Sequence, residues 1–273
     1  MTKKINVKLG KLQETLLLPL WGRAVETQKT DPKLIDRMAV EIVDLIDYDF
    51  SIIAENISPI SRFAWIARSL HVDRTIFEFI KIFPGAAIVN IGCGLDTTFN
   101  RIDNGRIMFY DLDLPDVIDL RKYFFTENER RKTISCSFLE KKWLSELRVK
   151  DGLLFIAAGI FYYFNEHQIK DFFTSIAGLF PGSEIFFDSA SPLGVKIANE
   201  KVIKNGGMDN TAILKWGLKS AKPIEQWDRK IRVVEEYPMF KGMKEGLSLK
   251  MKYGLWMSDV LNIMSMVHIR IDN

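Results

Sequence analysis

Histidine and cysteine are scarce in this chain. Its 273 residues include three histidines and two cysteines, and Cys93 and Cys136 lack the close spacing of metal-binding pairs. This scarcity argues against a zinc site and against a framework of disulfide bonds. A Ser/His/Asp set for nucleophilic catalysis is not recognisable either. We therefore expect no bound metal and a reducing, cytoplasmic location.

Long apolar runs and an excess of one charge are also missing. The longest apolar stretch, residues 152–164, is too short and too aromatic to cross a bilayer of about 30 Å. No apolar segment of signal-peptide type follows the lysines of residues 1–4. The formal net charge is only +3, and the basic residues are scattered. We therefore expect neither a membrane nor a nucleic acid as a partner.

An alternation of short apolar runs and amphipathic segments begins at residue 86. Segments of helical character separate the runs, and a capping box at Asn165 and Gln168 is expected to open one of those helices. The alternation is typical of an α/β fold with a parallel sheet covered by helices on both faces. The predicted strands are residues 86–91, 107–112, 133–136, 153–157 and 184–188.

The regions on either side of this alternation have a different character. Residues 1–83 read as helical, with a helix start at Asp31-Pro32 and a second helix over 61–83. Residues 191–230 are rich in turn formers, which predicts an irregular lid or substrate wall. We expect one domain over 1–273, composed of a helical cap (1–83), a cofactor-binding core (84–190), a substrate-side insertion with a strand (191–245, strand 231–237), and a C-terminal helix and strand (246–273, helix 247–263, strand 264–271).

A Gly-x-Gly turn directly follows the first predicted strand. Gly92 and Gly94 flank Cys93, and an acidic residue, Asp96, comes two positions later. The glycines carry no Cβ, so the backbone can approach a ligand closely. Thr97 stands where the dinucleotide fingerprint has its third glycine. A nucleoside cofactor without phosphates therefore fits this turn better than a dinucleotide does.

Acidic residues lie at the ends of two predicted elements near this turn. Asp111 and Asp113 end the second strand about 20 positions on, where a carboxylate accepts hydrogen bonds from ribose hydroxyls. They share one face of the strand, and Asp113 is favoured because it is nearer the end. Both could instead cap the following helix. Asp96 could cap its own helix or face a cationic group of the cofactor, and both alternatives stay open.

Few side chains are candidates for substrate binding or catalysis. The planar fork of Arg68 suits a small carboxylate, although a solvated helix face would also explain it. Tyr162 and Tyr163 follow the fourth strand and could bond a substrate, although aromatic packing is the commoner use. They are the only candidate catalytic residues, and both are weak. His167 is expected at the surface, and His268 is expected to be structural.

Two motifs and three further segments resemble a known family. Residues 89–97 read VNIGCGLDT and residues 109–118 read FYDLDLPDVI. Their combination resembles the leucine carboxyl methyltransferase family, in its bacterial and archaeal branch of tetracenomycin-type polyketide O-methyltransferases. Residues 15–24, 63–68 and 264–268 are also similar to that branch. The resemblance therefore covers nearly the whole chain.

The resemblance implies a fold, a cofactor and an activity. The fold would be the class I methyltransferase, Rossmann-like type, with seven strands in a mostly parallel sheet, an antiparallel last strand and a helical N-terminal cap. S-adenosylmethionine would be the cofactor, and a carboxylate or phenolic hydroxyl of a small molecule would be the methyl acceptor. Arg68 would hold the methionine carboxylate, the turn from Gly92 to Gly94 would pass beneath the cofactor, and Asp113 would bind the ribose.

Two departures from the family pattern bear on activity. Ser137-Phe138 stands where the family usually places an Asp-Leu pair at the adenine. Ala158 stands where the family often has an acidic residue near the cofactor. Both losses lower the expected cofactor affinity, because a hydroxyl is a weaker acceptor than a carboxylate. The alternative function is therefore a non-catalytic protein that binds S-adenosylmethionine or acts as a scaffold.

Overall fold

A seven-stranded sheet forms the centre of the protein. The computed structural model describes residues 4–209 and 211–273. Residues 1–3, which begin the N-terminal segment tested above for a signal peptide, lie outside the described residues. The strands are β1 (Ala87–Ile91), β2 (Met108–Asp113), β3 (Arg131–Ser135), β4 (Leu153–Ala157), β5 (Glu184–Ala190), β6 (Ile231–Pro238) and β7 (Met264–Ile271).

The strands lie in the order β3-β2-β1-β4-β5-β7-β6. Strands β1 to β5 run parallel to one another, whereas β7 is antiparallel to both β5 and β6. The predicted seven-stranded, mostly parallel sheet with an antiparallel last strand is therefore confirmed. Its β1 and β4 are buried along their whole length, as expected of central strands with helices on both faces.

Helices cover the two faces of the sheet and the carboxyl ends of its strands. The helices are α1 (Leu17–Thr27), α2 (Arg37–Leu45), α3 (Ser51–Asn56), α4 (Pro59–Ile82), α5 (Thr98–Ile102), α6 (Pro115–Arg121), α7 (Glu166–Leu179), α8 (Pro192–Ala198) and α9 (Leu249–Val260). The predicted capping box is present at the start of α7, with Asn165 and Gln168 as its two members. A short parallel pair, Ile5–Asn6 with Ile46–Asp47, adds to the N-terminal region.

Two hydrophobic clusters pack on the two faces of the sheet. One contains Trp143, Phe155 and Phe173, and the other contains Ile66, Phe109 and Phe186. Phe155 and Phe186 come from neighbouring strands but belong to different clusters. The apolar runs recognised in the sequence are thus the strands that divide the core into two layers. In the described part of the chain, no helix combines the length and apolar character needed to cross a membrane.

Two predictions about local structure are wrong. The helix expected to start at Asp31-Pro32 begins instead at Arg37, where the Asp36 side chain accepts a hydrogen bond from the Ala39 N–H at 3.0 Å. Arg23 of α1 also bonds Asp36, and this long-range contact fixes the path of the chain before α2.

Residues 191–230 are more ordered than predicted. Ser191 caps α8 by accepting a hydrogen bond from the Gly194 N–H, and Pro192 occupies the first helical position. A π-helical turn over Asn199–Lys204 continues α8, and a 3₁₀ helix spans Lys222–Gln226. The turn formers of this segment suggested an irregular structure, but a serine followed by a proline is a signal for the start of a helix.

The strand order creates a crevice at the carboxyl ends of the central strands. From β1, the chain builds β2 and β3 on one side and β4 and β5 on the other. The loops after β1 and β4 therefore diverge at the carboxyl ends of these strands. Open α/β sheets bind their ligands at this kind of switch point.

Candidate active site

A cavity of about 640 Å³ lies above the carboxyl ends of β1, β2 and β4. Its floor includes Gly92, Asp113 and Ala158, each at or just after the end of one of these strands. Residues of α4, the segment before α1 and residues within 197–205 form the other walls. This volume falls in the range of roughly 300–1,000 Å³ that is typical of small-molecule sites.

The Gly-x-Gly turn forms the part of the floor after β1. Gly92 and Gly94 have φ values of +63° and +47°, in the left-handed region that favours glycine. A Cβ at Gly92 would lie 2.1 Å from Cδ1 of Ile160, so a side chain there would collide with the loop after β4. The Gly92 and Cys93 N–H groups donate to the Leu112 carbonyl at 2.8 and 3.1 Å, which ties the turn to β2.

Asp113 lies at the end of β2 and faces the cavity. Its carboxylate accepts hydrogen bonds from the backbone N–H groups of Gly94 at 2.7 Å and Leu114 at 2.8 Å. Burial raises the pKa of Asp113 to about 6, against the opposing effect of these two hydrogen bonds. Each carboxylate oxygen can accept a further hydrogen bond, so the group can also bind hydroxyls of a ligand.

Asp111 does not share this site, contrary to the sequence prediction. Its side chain is buried and lies outside the cavity walls. It pairs with Arg121 at 2.7 Å and with Arg131 at 2.9 Å. The strand alternation does place Asp111 and Asp113 on one face, but only Asp113 reaches the end of the strand. Asp111 therefore compensates buried positive charge beneath the turn.

Asp96 lies just before α5 and lines the cavity. Its Oδ2 accepts hydrogen bonds from Asn90 Nδ2 at 3.0 Å and from the N–H of Thr98, the first residue of α5, at 3.1 Å. The side chain is also 24% exposed and lines the cavity. Burial opposes its ionisation, but the nearby charges of Arg101 and Arg23 lower the pKa of Asp96 to about 2.

Arg68 is held by a residue that the sequence analysis missed. Arg68 Nη1 donates to the Asp188 carboxylate at 3.1 Å and to the Tyr162 hydroxyl at 3.0 Å. Asp188 also accepts a hydrogen bond from the Gly159 N–H at 2.6 Å. The one signal for Asp188 is an acidic residue within the apolar run of β5, where a buried charge requires a partner.

The same arginine lies directly over the loop after β4. Gly159 has a φ of +83°, and a Cβ there would lie 2.6 Å from Arg68 Nη1. Nε and Nη2 of Arg68 have no hydrogen-bond acceptor within residues 4–209 and 211–273. Because Arg68 lines the cavity, these donors are available to a bound anion.

The remaining predicted cofactor residues also line the cavity. Ser137 Oγ accepts a hydrogen bond from the Leu139 N–H at 3.3 Å, and Phe138 packs edge-on against Phe164. Ala158 brings no charge, but the Asp188 carboxylate of the neighbouring strand lies beside the residue that follows it. Cys93 is buried, and burial raises its thiol pKa well above the ordinary value.

The two tyrosines are poor general bases. Burial raises the pKa of both Tyr162 and Tyr163, so their hydroxyls stay protonated at neutral pH. No histidine lines the cavity walls that the structure describes. His71 is buried against the Met239 carbonyl, His167 is exposed, and His268 pairs with Glu184 at 2.7 Å.

Comparison with known proteins decides the family. The family model described as "Leucine carboxyl methyltransferase" matches residues 17–177, which include the N-terminal helices and β1 to β4. The chain belongs to the leucine carboxyl methyltransferase family. The family predicted from the two motifs is thus confirmed. The chain is an S-adenosylmethionine-dependent methyltransferase of this family.

Two similar proteins extend the match over most of the chain. The tetracenomycin polyketide synthesis O-methyltransferase TcmP of Streptomyces glaucescens is 27% identical over 236 residues, which are 86% of this chain and 85% of that protein. The S-adenosyl-L-methionine-dependent methyltransferase dpfgK of Gibberella zeae is 27% identical over an alignment of 216 residues, and the match covers 72% of each chain.

Solved structures agree on the fold. A DUF574 family protein from Streptomyces avermitilis superposes with a TM-score of 0.59 at 11% identity, over 92% of this chain and 97% of its own. The plantazolicin methyltransferase BamL, solved with a triazolic desmethylPZN analogue and S-adenosylhomocysteine (SAH), gives a TM-score of 0.52 at 10% identity over 96% of this chain and 98% of its own. The predicted class I methyltransferase, Rossmann-like fold is confirmed.

Proposed function

We propose that this methyltransferase acts on oxygen and that its acceptor is a carboxylate of a small, largely apolar molecule. One observation carries the proposal. The cavity joins the Gly-x-Gly turn to an apolar wall, and apart from Asp96 and Asp113 beside that turn its described lining holds no carboxylate or imidazole that could take a proton from an acceptor at neutral pH. An ionised carboxylate needs no such group. The name of TcmP as an O-methyltransferase supports transfer to oxygen.

The residues on the floor of the cavity fit S-adenosylmethionine. The left-handed glycines of the turn carry no Cβ, so its backbone can come close to a ligand. The carboxylate of Asp113 has lone pairs for the ribose hydroxyls, and the free donors of Arg68 match the methionine carboxylate. Nothing in the turn cradles a phosphate, because Thr97 replaces the third glycine. The predicted assignments of Arg68 and Asp113 therefore remain part of this proposal.

Another part of the cavity lining suits an apolar acceptor with an anionic group. Ile60 and Trp65 of α4, Ile197 of α8 and Leu261 after α9 contribute apolar surface. Lys201, on the π-helical turn, also lines the cavity and has no acidic partner among the described residues. An ammonium group in this position attracts an acid before it reaches the cofactor.

The chain contributes binding, orientation and the exclusion of water. When bound, S-adenosylmethionine supplies a methyl group on a positively charged sulfur, which an acceptor oxygen can attack in line. Arg68 and Asp113 would hold the methionine carboxylate and the ribose of the cofactor, and the apolar wall would orient the acceptor. The segment 12–19 and residues 197–205 shield the reacting groups from solvent. Alignment of this kind is sufficient where the electrophile is already activated.

A phenolic hydroxyl is the second candidate acceptor. It has to lose its proton, and the ammonium of Lys201 favours its ionised form. Proximity would then drive the transfer without a base from the protein.

Matched acceptors test the proposal. The protein is incubated with methyl-labelled S-adenosylmethionine and pairs of aromatic acids and phenols that share one ring system, and products are identified by mass spectrometry. We expect methyl esters, formed faster than the corresponding ethers. Faster ether formation would favour the phenol. SAH binding without transfer to either class would favour the non-catalytic alternative instead.

A further inference from the structure

Two buried arginines hold three consecutive carbonyl oxygens of the cofactor turn. Arg121 Nη1 donates to the Gly94 carbonyl at 2.6 Å and to the Asp96 carbonyl at 3.0 Å. Arg23 Nη2 donates to the carbonyl between them, that of Leu95, at 2.9 Å. The two guanidinium groups come from α6 and α1, so elements far apart in sequence meet at this turn.

Each of these arginines is itself fixed by a buried aspartate. Arg121 pairs with Asp111 at 2.7 Å, and Arg23 pairs with Asp36 at 2.8 Å. Arg121 also lies over the ring of Phe125, with its guanidinium carbon 4.4 Å from the ring centroid. A buried guanidinium has few alternative positions when a carboxylate and a ring both restrain it. The carbonyl oxygens that it bonds are restrained in turn.

The direction of a carbonyl determines the orientation of its whole peptide unit, because the peptide is planar. The contacts from Arg121 and Arg23 therefore set three successive peptide planes of the turn before any ligand binds. We propose that Arg121 is a positioning residue for S-adenosylmethionine, acting through the carbonyl oxygens of Gly94 and Asp96. Arg121 lies outside the cavity walls, so its effect is indirect. The inference rests on the cofactor and not on the proposed acceptor.

Arg131 provides a matched control in the same cluster. Like Arg121, Arg131 pairs with Asp111, with its Nε 2.9 Å from the carboxylate. Its guanidinium carbon also lies 4.5 Å from the ring centroid of Phe125. Both arginines are buried, with exposed fractions of 5% for Arg131 and 2% for Arg121. Arg131 makes no hydrogen bond to the turn within the described residues. Both arginines can therefore stabilise the cluster around Asp111. Arg121 differs from Arg131 in that it also contacts the turn and can position it.

The test compares the variants Arg121→Lys and Arg131→Lys. A lysine keeps the charge but cannot reach two carbonyls and a carboxylate with a planar fork. Calorimetric titration with SAH gives the dissociation constant, and thermal unfolding gives the stability of each variant. We expect Arg121→Lys to weaken SAH binding at least about tenfold, and Arg131→Lys to change it less than about twofold, at similar losses of stability.

Equal dissociation constants for the two variants would overturn the proposal. If Arg121→Lys does not accumulate as folded protein, Asp111→Asn tests the same point, because it removes the carboxylate that orients the Arg121 guanidinium toward the carbonyl oxygens. Weaker SAH binding by Asp111→Asn than by Arg131→Lys supports positioning, and equal binding contradicts it. Wild-type protein that fails to bind SAH would instead call the cofactor itself into question.

Discussion

Arg68 and Asp188 lie 120 positions apart in the sequence, yet the guanidinium of the first is 3.1 Å from the carboxylate of the second. Arg68 comes from α4 of the N-terminal cap, and Asp188 comes from β5 of the sheet. Asp188 also bonds the Gly159 N–H, so one carboxylate orients both the arginine and the loop beneath it. The free donors of Arg68 thereby face the cavity.

Removing the charge of Asp188 is expected to weaken cofactor binding. The variant Asp188→Asn leaves Arg68 as a buried charge with no ionised partner, which costs about 3–5 kcal/mol of the free energy of unfolding. We expect the SAH dissociation constant to rise more than about tenfold, because the guanidinium loses its fixed position. Calorimetry and thermal unfolding check both effects. The control is Glu184→Gln on the same strand, whose partner is His268, and unchanged SAH binding by Asp188→Asn would contradict the role.

The pH dependence of SAH binding is expected to follow Asp113. Its pKa is about 6, so the carboxylate becomes protonated as the pH falls below 6 and loses acceptors for the ribose hydroxyls. The dissociation constant should be flat above this value and rise up to about tenfold per pH unit below it. His71, with a pKa lowered to about 4 by burial, and Asp96, at about 2, do not titrate between pH 5 and 7. In Asp113→Asn the slope should vanish, and its persistence there would rule Asp113 out.

A methyl group at Gly159 is expected to displace Arg68. The variant Gly159→Ala puts a Cβ 2.6 Å from Nη1 and forces an L-residue to a φ of +83°. The second effect alone costs about 1–2 kcal/mol. We expect lower thermal stability and SAH binding at least about tenfold weaker. Gly178→Ala, in α7 with nothing within 4 Å of the added Cβ, should keep full SAH binding. Normal binding by Gly159→Ala would show that Arg68 tolerates displacement.

Lys201 is expected to select for acidic acceptors. The variant Lys201→Met keeps the length of the side chain and removes its charge, so the KM for an acid should rise roughly threefold to tenfold. Added salt should produce the same trend in the wild type, because the group is exposed. SAH binding should not change. Lys204→Met is the control, since Lys204 follows on the same turn but lies outside the cavity lining. An equal loss for an uncharged analogue of the acid would refute this selectivity.

The strands were the most predictable part of the fold. The boundaries of β4 and β7 agree with the sequence prediction, and those of the other five strands differ by two residues or fewer. A short apolar run indicates a central strand, because a strand that is buried on both faces has apolar side chains along its whole length. The start of α2 was mispredicted, because the cap at Asp36 depends on Arg23, a contact that local sequence does not show.

The floor of the cavity was predictable to a similar degree. Gly92, Gly94 and Asp113 follow from their positions at strand ends, a rule that sequence can apply directly. The roles of Asp188 and Arg121 do not follow from it. Each depends on a partner in another element, and an aspartate inside a strand is ambiguous until that partner is placed. Asp111 shows the same limit, since its spacing alone made it resemble a ligand residue.

The position of β7 between β5 and β6 has a consequence for synthesis of the chain. Residues 184–190 and 231–238 leave the ribosome before the strand that separates them, so both have an unpaired edge until residues 264–271 follow. Pairing across such distances slows folding. Asp188 lies on β5, which is one of these two strands. The contact that orients Arg68 is therefore expected to be among the last to form in a newly made molecule.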